Sequence, residues 1–227
     1  MSIIKTRVEC LKAVFPFVSK EETRYYLNGV YAESGLLVAT DGHRIAAIKP
    51  ALMESQGAGF IIPSATIKQV LSIKAGKREE LFCEFNTETG VATVYTLDRD
   101  MNRDSKGAFP FKPIDGTFPE WRRVIPSAEN FNTANHKDRN QNTGAGFNSA
   151  YLVTFQAFGD KVNVFLNNDP GAPSLVTAKT ELFEAVGVIM PMRSYELTAV
   201  LPEWIKATPT PPAALDSETV KESESVM

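Results

Sequence analysis

The chain has 227 residues, 43 % of them hydrophobic and 22 % charged, with a formal net charge of −3. That composition suits a folded protein with a real core and excludes a disordered chain as the default. The acidic balance argues against a surface that grips nucleic acid all over, while leaving room for a local basic face.

The apolar runs fall short of the roughly 20 residues that a membrane-spanning helix requires, and Glu9 and Lys12 interrupt any secretory h-region near Met1. The expected compartment is the cytoplasm, with no membrane contact. Cys10 on a predicted helix and Cys83 on a predicted strand form neither a disulfide framework nor a zinc cluster, and His43 and His136 add no ligand spacing. No metal or cofactor is expected.

In chain order, Val8, Leu11 and Phe15 recur at helical spacing, with Lys5, Glu9, Lys12 and Glu21 off that stripe and Pro16 limiting the helix. Tyr25 to Ala32 is rich in aromatic and branched residues, Ser34-Gly35 supplies a turn, and Leu36 to Ile48 resumes an extended pattern; together they predict a hairpin. Asp41-Gly42 interrupts the second strand. A positive φ at Gly42 makes this a fixed corner from which His43 and Arg44 project.

Met53 to Gly59 reads as a loop, and Phe60-Ile61-Ile62 as a buried strand ending at Pro63. A second helix follows, with Ser64 as N-cap, Ile67, Val70 and Leu71 as its apolar stripe, and Gly76 as its stop. Strands are expected at Glu80 to Phe85, Val91 to Leu97 and Ala108 to Lys112, with a turn at Thr87 to Gly90. A third helix, capped by Asn148 or Ser149, carries Leu152, Phe155 and Phe158 and stops at Gly159. Strands at Val162 to Leu166, Leu175 to Ala178 and Ala185 to Met190 complete it. The order repeats three times as helix then strands, without sequence identity between the units. Ser127 to Gly146 is asparagine-rich and polar, and the segment from Thr208, with Pro209, Pro211 and Pro212 before four acidic residues, predicts a disordered acidic tail.

Three stretches carry a family resemblance: Arg24-Tyr25-Tyr26-Leu27-Asn28-Gly29 with Ala39-Thr40-Asp41-Gly42-His43-Arg44, then Phe118-Pro119-Glu120-Trp121-Arg122-Arg123-Val124-Ile125-Pro126, then Ile189-Met190-Pro191-Met192-Arg193. In that order the chain resembles the bacterial DNA polymerase III β sliding clamp family from Thr6 to Arg193. The resemblance implies an α+β DNA-clamp fold of repeated helix-plus-antiparallel-strands units, helices on one face and sheets on the other. It also implies a non-enzymatic role in DNA replication. The expected division is a complete clamp-like domain of two units at 1–117, resembling the family's middle domain, and a connector with the asparagine-rich loop at 118–146. One further unit follows at 147–206, resembling the second half of the last domain, with the acidic tail at 207–227. Against the family's pattern no first domain precedes Met1, half a domain is replaced between Pro126 and Phe147, and the chain runs on past Arg193. Those are the parts with which the family closes a two-chain ring.

The family takes short linear motifs of polymerase and other replication proteins, a glutamine followed by leucine or phenylalanine anchors, in a pocket between its middle and last domains. Motif matching assigns that pocket to Leu27, Thr40, Gly42, His43, Arg44 and Ile45, to Pro119, Arg123 and Val124, and to Val188, Met190, Pro191, Met192 and Arg193. Polarizable methionines suit a site that repacks around different ligands, and Arg44, Arg123 and Arg193 suit peptide carbonyls or carboxylates at the rim. Lys5, Arg7, Lys12, Lys68, Lys74, Lys77 and Arg78 lie where the family faces double-stranded DNA without reading its sequence.

The residues alone also permit plainer readings. Met190 and Met192 on a terminal strand are ordinary core fillers by composition, the lysines an ordinary solvated face, and Trp121 a packed aromatic with Arg122 in solvent. Asp41 with His43 has the elements of an acid-base pair but lacks an adjacent nucleophile. Two functional classes stand: a homo-oligomeric ring that acts as a processivity factor, and a non-ring adaptor or competitor, of phage or mobile-element type, that binds clamp-binding motifs without encircling DNA.

Overall fold

The computed structural model describes residues 1–77, 79–131 and 145–192. Strand β1 (Ile3–Arg7) leads straight into α1 (Val8–Val14), which tightens into a 3-10 turn at Phe15–Phe17. Pro16 ends the helix because its ring would meet the carbonyl four residues back. Val8, Cys10, Leu11 and Val14 are buried and Lys12 is exposed, as the helical spacing requires.

Tyr25–Leu27 is a 3-10 turn where an extended strand was expected. Leu27 N–H donates to Arg24 O and Asn28 N–H to Tyr25 O, and this tight turn swings Leu27 into the sheet face while Tyr25 stays exposed. The hairpin then forms from β2 (Gly29–Glu33) and β3 (Leu36–Thr40), with Ser34 at φ 44 and Gly35 at φ 81 matching a primed turn. β4 (Arg44–Pro50) follows the Asp41-Gly42 corner, where φ of Gly42 is +89 as expected. Met53–Gln56 is strand β5, paired with β1 from Thr6↔Met53 to Ile3↔Gln56, and not a loop. Its Met-Glu-Ser-Gln sequence belongs to an edge strand and carries no apolar run.

Strand β6 (Phe60–Pro63) runs into α2 (Ser64–Ser72). The cap position is Pro63, and Ser64 is the first helical residue; its N–H goes to Asn28 O at 3.0 Å. The helix stops at Ser72, short of Gly76. β7 (Phe82–Asn86), β8 (Val91–Leu97) and β9 (Arg103–Pro110) form a meander. Helix α3 (Ser149–Thr154) is capped by Asn148, whose Oδ1 accepts from Ala150 N–H at 2.9 Å, and continues as a 3-10 turn at Phe155–Phe158. Phe155 and Phe158 are buried, whereas Leu152, expected on the same stripe, is 40 % exposed. β10 (Asn163–Phe165), β11 (Ser174–Lys179) and β12 (Phe183–Ile189) end the described chain.

Two antiparallel sheets result, in the orders β5-β1-β7-β8-β9 and β10-β11-β12-β4-β3-β2-β6. Each of the first two units lends its first strand to the other's sheet, β1 to β7 and β6 to β2. The third unit joins the first through β12 and β4, from Phe183↔Pro50 to Ile189↔Arg44. One core unites the three helices with the inward residues of both sheets. At its centre Phe17, Phe155 and Phe158 pack with ring centroids 5.0 to 5.4 Å apart. Gly187 in β12 leaves space for them, since a Cβ there would collide with the Phe155 ring.

A second apolar cluster covers the outer face of the larger sheet, where Phe118 and Trp121 of the connector lie over Leu27, Val38, Ile45, Ala47, Ile61 and Val188. Glu33 ties this cover down: it accepts from Arg122 Nη1 at 2.6 Å, Trp121 Nε1 at 3.3 Å and Tyr31 Oη at 3.1 Å. Burial pushes its carboxyl up, but the three donors outweigh that and hold it below the ordinary glutamate value.

Two outcomes follow from this packing. Phe158→Ala should cost about 3–5 kcal/mol of unfolding free energy in urea melts, because the ring is fully buried between two units. A depressed Glu33 contributes stability that is complete above the unfolded glutamate value and lost as pH falls through the folded one. Fluorescence of Trp121 in a Trp204→Phe background should therefore show an acid transition below pH about 4.5, absent in Glu33→Gln.

Candidate functional site

The Asp41-Gly42 corner is fixed by its own side chains. Asp41 Oδ1 accepts from the backbone N–H groups of His43 (2.9 Å) and Arg44 (3.0 Å), and its Oδ2 accepts from Arg44 Nε at 2.9 Å. Thr40 Oγ1 donates to Arg44 O at 2.8 Å and accepts from Gly42 N–H at 3.1 Å. Glycine is needed at 42 both for its φ and because a Cβ would lie 2.5 Å from the Arg24 guanidinium. Both carboxylate oxygens of Asp41 are thus engaged with backbone and Arg44. The His43 ring stacks on Tyr151 instead, 5.6 Å between centroids, and its carbonyl accepts from Met190 N–H at 2.9 Å.

Alternation along β4 sends Ile45 and Arg44 to opposite faces of the sheet. Arg44 points toward the helices, where its guanidinium lies 4.6 Å from the Tyr151 ring and 5.6 Å from Phe17 and donates to Thr154 Oγ1 and to Pro16 O. Expected at the rim of the pocket, its side chain instead fastens the corner to the 3-10 turn after α1 and to α3.

On the outer face Leu27, Ile45 and Val188 come together, each 3 % exposed, with Val188 opposite Ile45 and Thr40 on Ile45's other side. The rims of this patch are open. Met190 is 42 % and Met192 56 % exposed, so neither is a core filler, and Pro191 between them is half-buried. Met192 N–H bonds Gly146 O at 2.8 Å, which holds the strand end in place. Pro119, Arg123 and Val124 are exposed on the connector, positioned by the buried Phe118 and Trp121 and the 3-10 turn Trp121–Val124. Three stretches distant in sequence therefore contribute to one buried apolar cluster, through Leu27 and Ile45, Phe118 and Trp121, and Val188. Arg193 lies outside the described residues.

Trp121 is packed as expected, but Arg122 does more than sit in solvent: it stacks on Trp121 at 4.3 Å and pairs with Glu33. Neither Glu33 nor Tyr151 stands out in the sequence. Each acts through a partner more than 80 residues away, a relation that spacing along the chain does not reveal.

The basic residues divide. Lys5 and Arg7 are on β1, on the outer face of the smaller sheet, paired with Glu54 and Glu80, and so do not share the helix face. Lys12 on α1, Lys68 on α2, and Lys74 and Lys77 just after it are exposed and form no ion pair with the described residues. Arg78 lies outside them. Among the described residues no cluster of His, Cys, Asp and Glu is arranged to hold a metal, and no helix is long and apolar enough to cross a membrane. Burial pushes the Cys10 thiol up to about 11 and the Cys83 thiol higher still, as befits core residues.

Residues 7–120 match the family model for the central domain of the DNA polymerase III beta subunit. The beta sliding clamp of Caulobacter vibrioides is 39 % identical over 119 residues, and that of Pseudomonas aeruginosa 36 % over 117; each alignment covers 48 % of this chain and 29 % of the relative. The aligned part thus spans under a third of the length of these curated relatives. Among solved structures, the Bacillus subtilis sliding clamp aligns with a TM-score of 0.57 at 19 % identity, covering 85 % of this chain and 64 % of that one. The Bartonella birtlesii DnaN clamp, solved bound to griselimycin, aligns at 0.54 and 23 %, covering 85 % and 66 %. The fold is that of these clamps, and the likeness reaches past the central domain into the third unit. From the family match over half its length and the shared fold, the chain belongs to the DNA polymerase III beta subunit, or sliding clamp, family.

Proposed function

We propose that this chain is a clamp-type replication protein that binds short linear motifs of DNA polymerase and other replication proteins on the outer face of its larger sheet. The observation that carries this reading is the pair Met190 and Met192, large, flexible and half-exposed, directly after the strand whose Val188 is buried with Leu27 and Ile45. An unpartnered apolar rim above a packed floor suits leucine or phenylalanine anchors, and unbranched thioethers adapt to either. Thr40, His43 and Arg123 supply polar groups for the glutamine and the peptide backbone. Burying two anchors contributes about 3–6 kcal/mol before ordering costs, in keeping with a weak and exchangeable contact.

The opposite face supports a second contact. α1 and α2 pack side by side, and Lys12, Lys68, Lys74 and Lys77 project from them or from the loop beyond. Ammonium groups that form no ion pair with the described residues suit the phosphates of duplex DNA, without base readout. The peptide site lies within one chain, so it does not require a ring. Encirclement is a separate property of assembly.

Three measurements test these readings. A fluorescent peptide with a glutamine and leucine-phenylalanine anchors should bind saturably, and Met190→Ala with Met192→Ala should weaken it about tenfold, or ~1.4 kcal/mol; equal affinity would overturn the peptide site. For DNA, the slope of log affinity against log salt should shrink by about 0.9 for each phosphate no longer neutralised when Lys12 and Lys68 become glutamine; an unchanged slope removes the DNA face. Light scattering with retention on circular DNA then decides assembly. A closed oligomer held until the circle is cut is a processivity factor, and a monomer that slips off is a non-ring adaptor.

A further inference from the structure

The two sheets differ on their outer faces. Phe118 and Trp121 of the connector cover the larger one, whereas the described residues leave a cleft of about 880 Å³ at one end of the smaller one. Three loops border it: Ala51-Leu52 ahead of β5, Glu79-Glu80 ahead of β7, and the turn from Asp98 to Met101 between β8 and β9. It shares no residue with the candidate peptide site.

The floor is aromatic and already organised. Phe82 and Tyr95 stack with centroids 5.8 Å apart, and the guanidinium of Arg7 lies 5.5 Å from the Phe82 ring and that of Arg103 4.4 Å from Tyr95. These cations are engaged: Arg7 pairs with Glu80 and Arg103 with Glu84, each at 2.7 Å, and Lys5 pairs with Glu54. An anion entering the cleft must compete with those carboxylates.

Two apolar side chains stand at the edge, Leu52 at 55 % and Met101 at 70 % exposure. Met101 has φ 63, a conformation that asparagine takes more readily than methionine. Asp98 imposes it, since its Oδ1 accepts from the N–H groups of Asp100 (2.9 Å) and Asn102 (2.8 Å) and its Oδ2 from Asn102 Nδ2 at 3.0 Å. The thioether is therefore presented by a braced turn.

Charge decides what fits there. Among the described residues that line the cleft, five are acidic and only Lys5 and Arg7 are basic. Lys106, just outside the lining, is shared between Glu79 and Asp104, so the acidic excess persists. The side chains of Glu54, Glu80 and Asp104 are 65 %, 59 % and 70 % exposed, and a carboxylate has acceptor sites beyond a single cation partner. Phosphates and anionic lipid surfaces are repelled, while an acidic rim around an apolar floor favours cationic side chains flanking apolar ones.

We propose that this cleft docks a short segment of a partner protein in which apolar residues stand between lysines or arginines. The apolar side chains pack on Leu52, Met101 and the Phe82–Tyr95 floor, and the cations meet Glu54, Glu80 and Asp104. This does not rest on peptide binding beside Met190 and Met192, or on DNA binding.

The test uses the full chain and a short fluorescent peptide with two leucines set between lysines, beside two twins, one with serines for the leucines and one with glutamates for the lysines. The parent peptide should bind saturably, and each twin at least about tenfold more weakly. Leu52→Ser with Met101→Asn should weaken the parent peptide about tenfold; both positions are exposed and asparagine accepts the φ of residue 101, so the fold is kept. Met190→Ala with Met192→Ala, and separately Glu218→Gln with Glu222→Gln near the C-terminus, should leave its affinity unchanged. The proposal is overturned by an absence of saturable binding, by either twin binding as tightly as the parent peptide, or by full affinity in Leu52→Ser with Met101→Asn. Loss of binding in either of the other two variants also overturns it, by placing the peptide elsewhere on the chain.

Discussion

The ladder between β12 and β4 is the contact on which the rest depends. It joins residues 183–189 to residues 44–50, so forming it closes a loop of well over a hundred residues, whose entropy cost grows only slowly with length. What offsets that cost is on both sides of the sheet. Beneath it, Phe155 and Phe158 of the third unit close on Phe17 of the first, in the space that Gly187 leaves. Above it, Val188 settles against Ile45 and Leu27. The first and third units are therefore one packed body, not two beads on a linker.

The same ladder sets the register of the candidate site. Ile189↔Arg44 is its last rung within the strands, and Met190 N–H to His43 O extends it by one. A slip of one residue would send Val188 to the helix side and Ile189 to the outer side. The corner at Asp41-Gly42 guards against that slip from within, because Asp41 and Thr40 satisfy the N–H groups of Gly42, His43 and Arg44 without any contact from β12.

Much of this was legible in the sequence where the signal is local. The burial phase of α1 and α2, the positive φ of Gly42, the span of β8 and the Asn148 cap all follow from neighbours a few residues apart. β1 and β5 were not, since each is short and pairs only with strands distant in sequence, and β5 shows the polar composition of a sheet rim. Tyr25–Leu27 misled because aromatic and apolar residues favour a strand by propensity, while tertiary packing of Leu27 selected a 3-10 turn. For the site, motif matching brought the right stretches together but could not say which way a side chain points. Arg44 is adjacent to Ile45 in sequence and on the other side of the sheet in space.

That separation has a mechanical consequence. Met190 stands at the outer surface, where a peptide is proposed to bind; Arg44 is held against Tyr151, Phe17, Thr154 and the Pro16 carbonyl on the helix side, and the His43 ring stacks on the same Tyr151. A ligand pressing on the corner therefore presses on a point fastened to the helices of two units, and the wall does not yield. In the proposed site, adaptation to different anchors would fall to the exposed side chains Met190, Met192 and Val124. Rigid floor and mobile rim are what a site needs in order to take several related peptides at similar, modest affinity, since each pays little to order the protein and each finds its own packing.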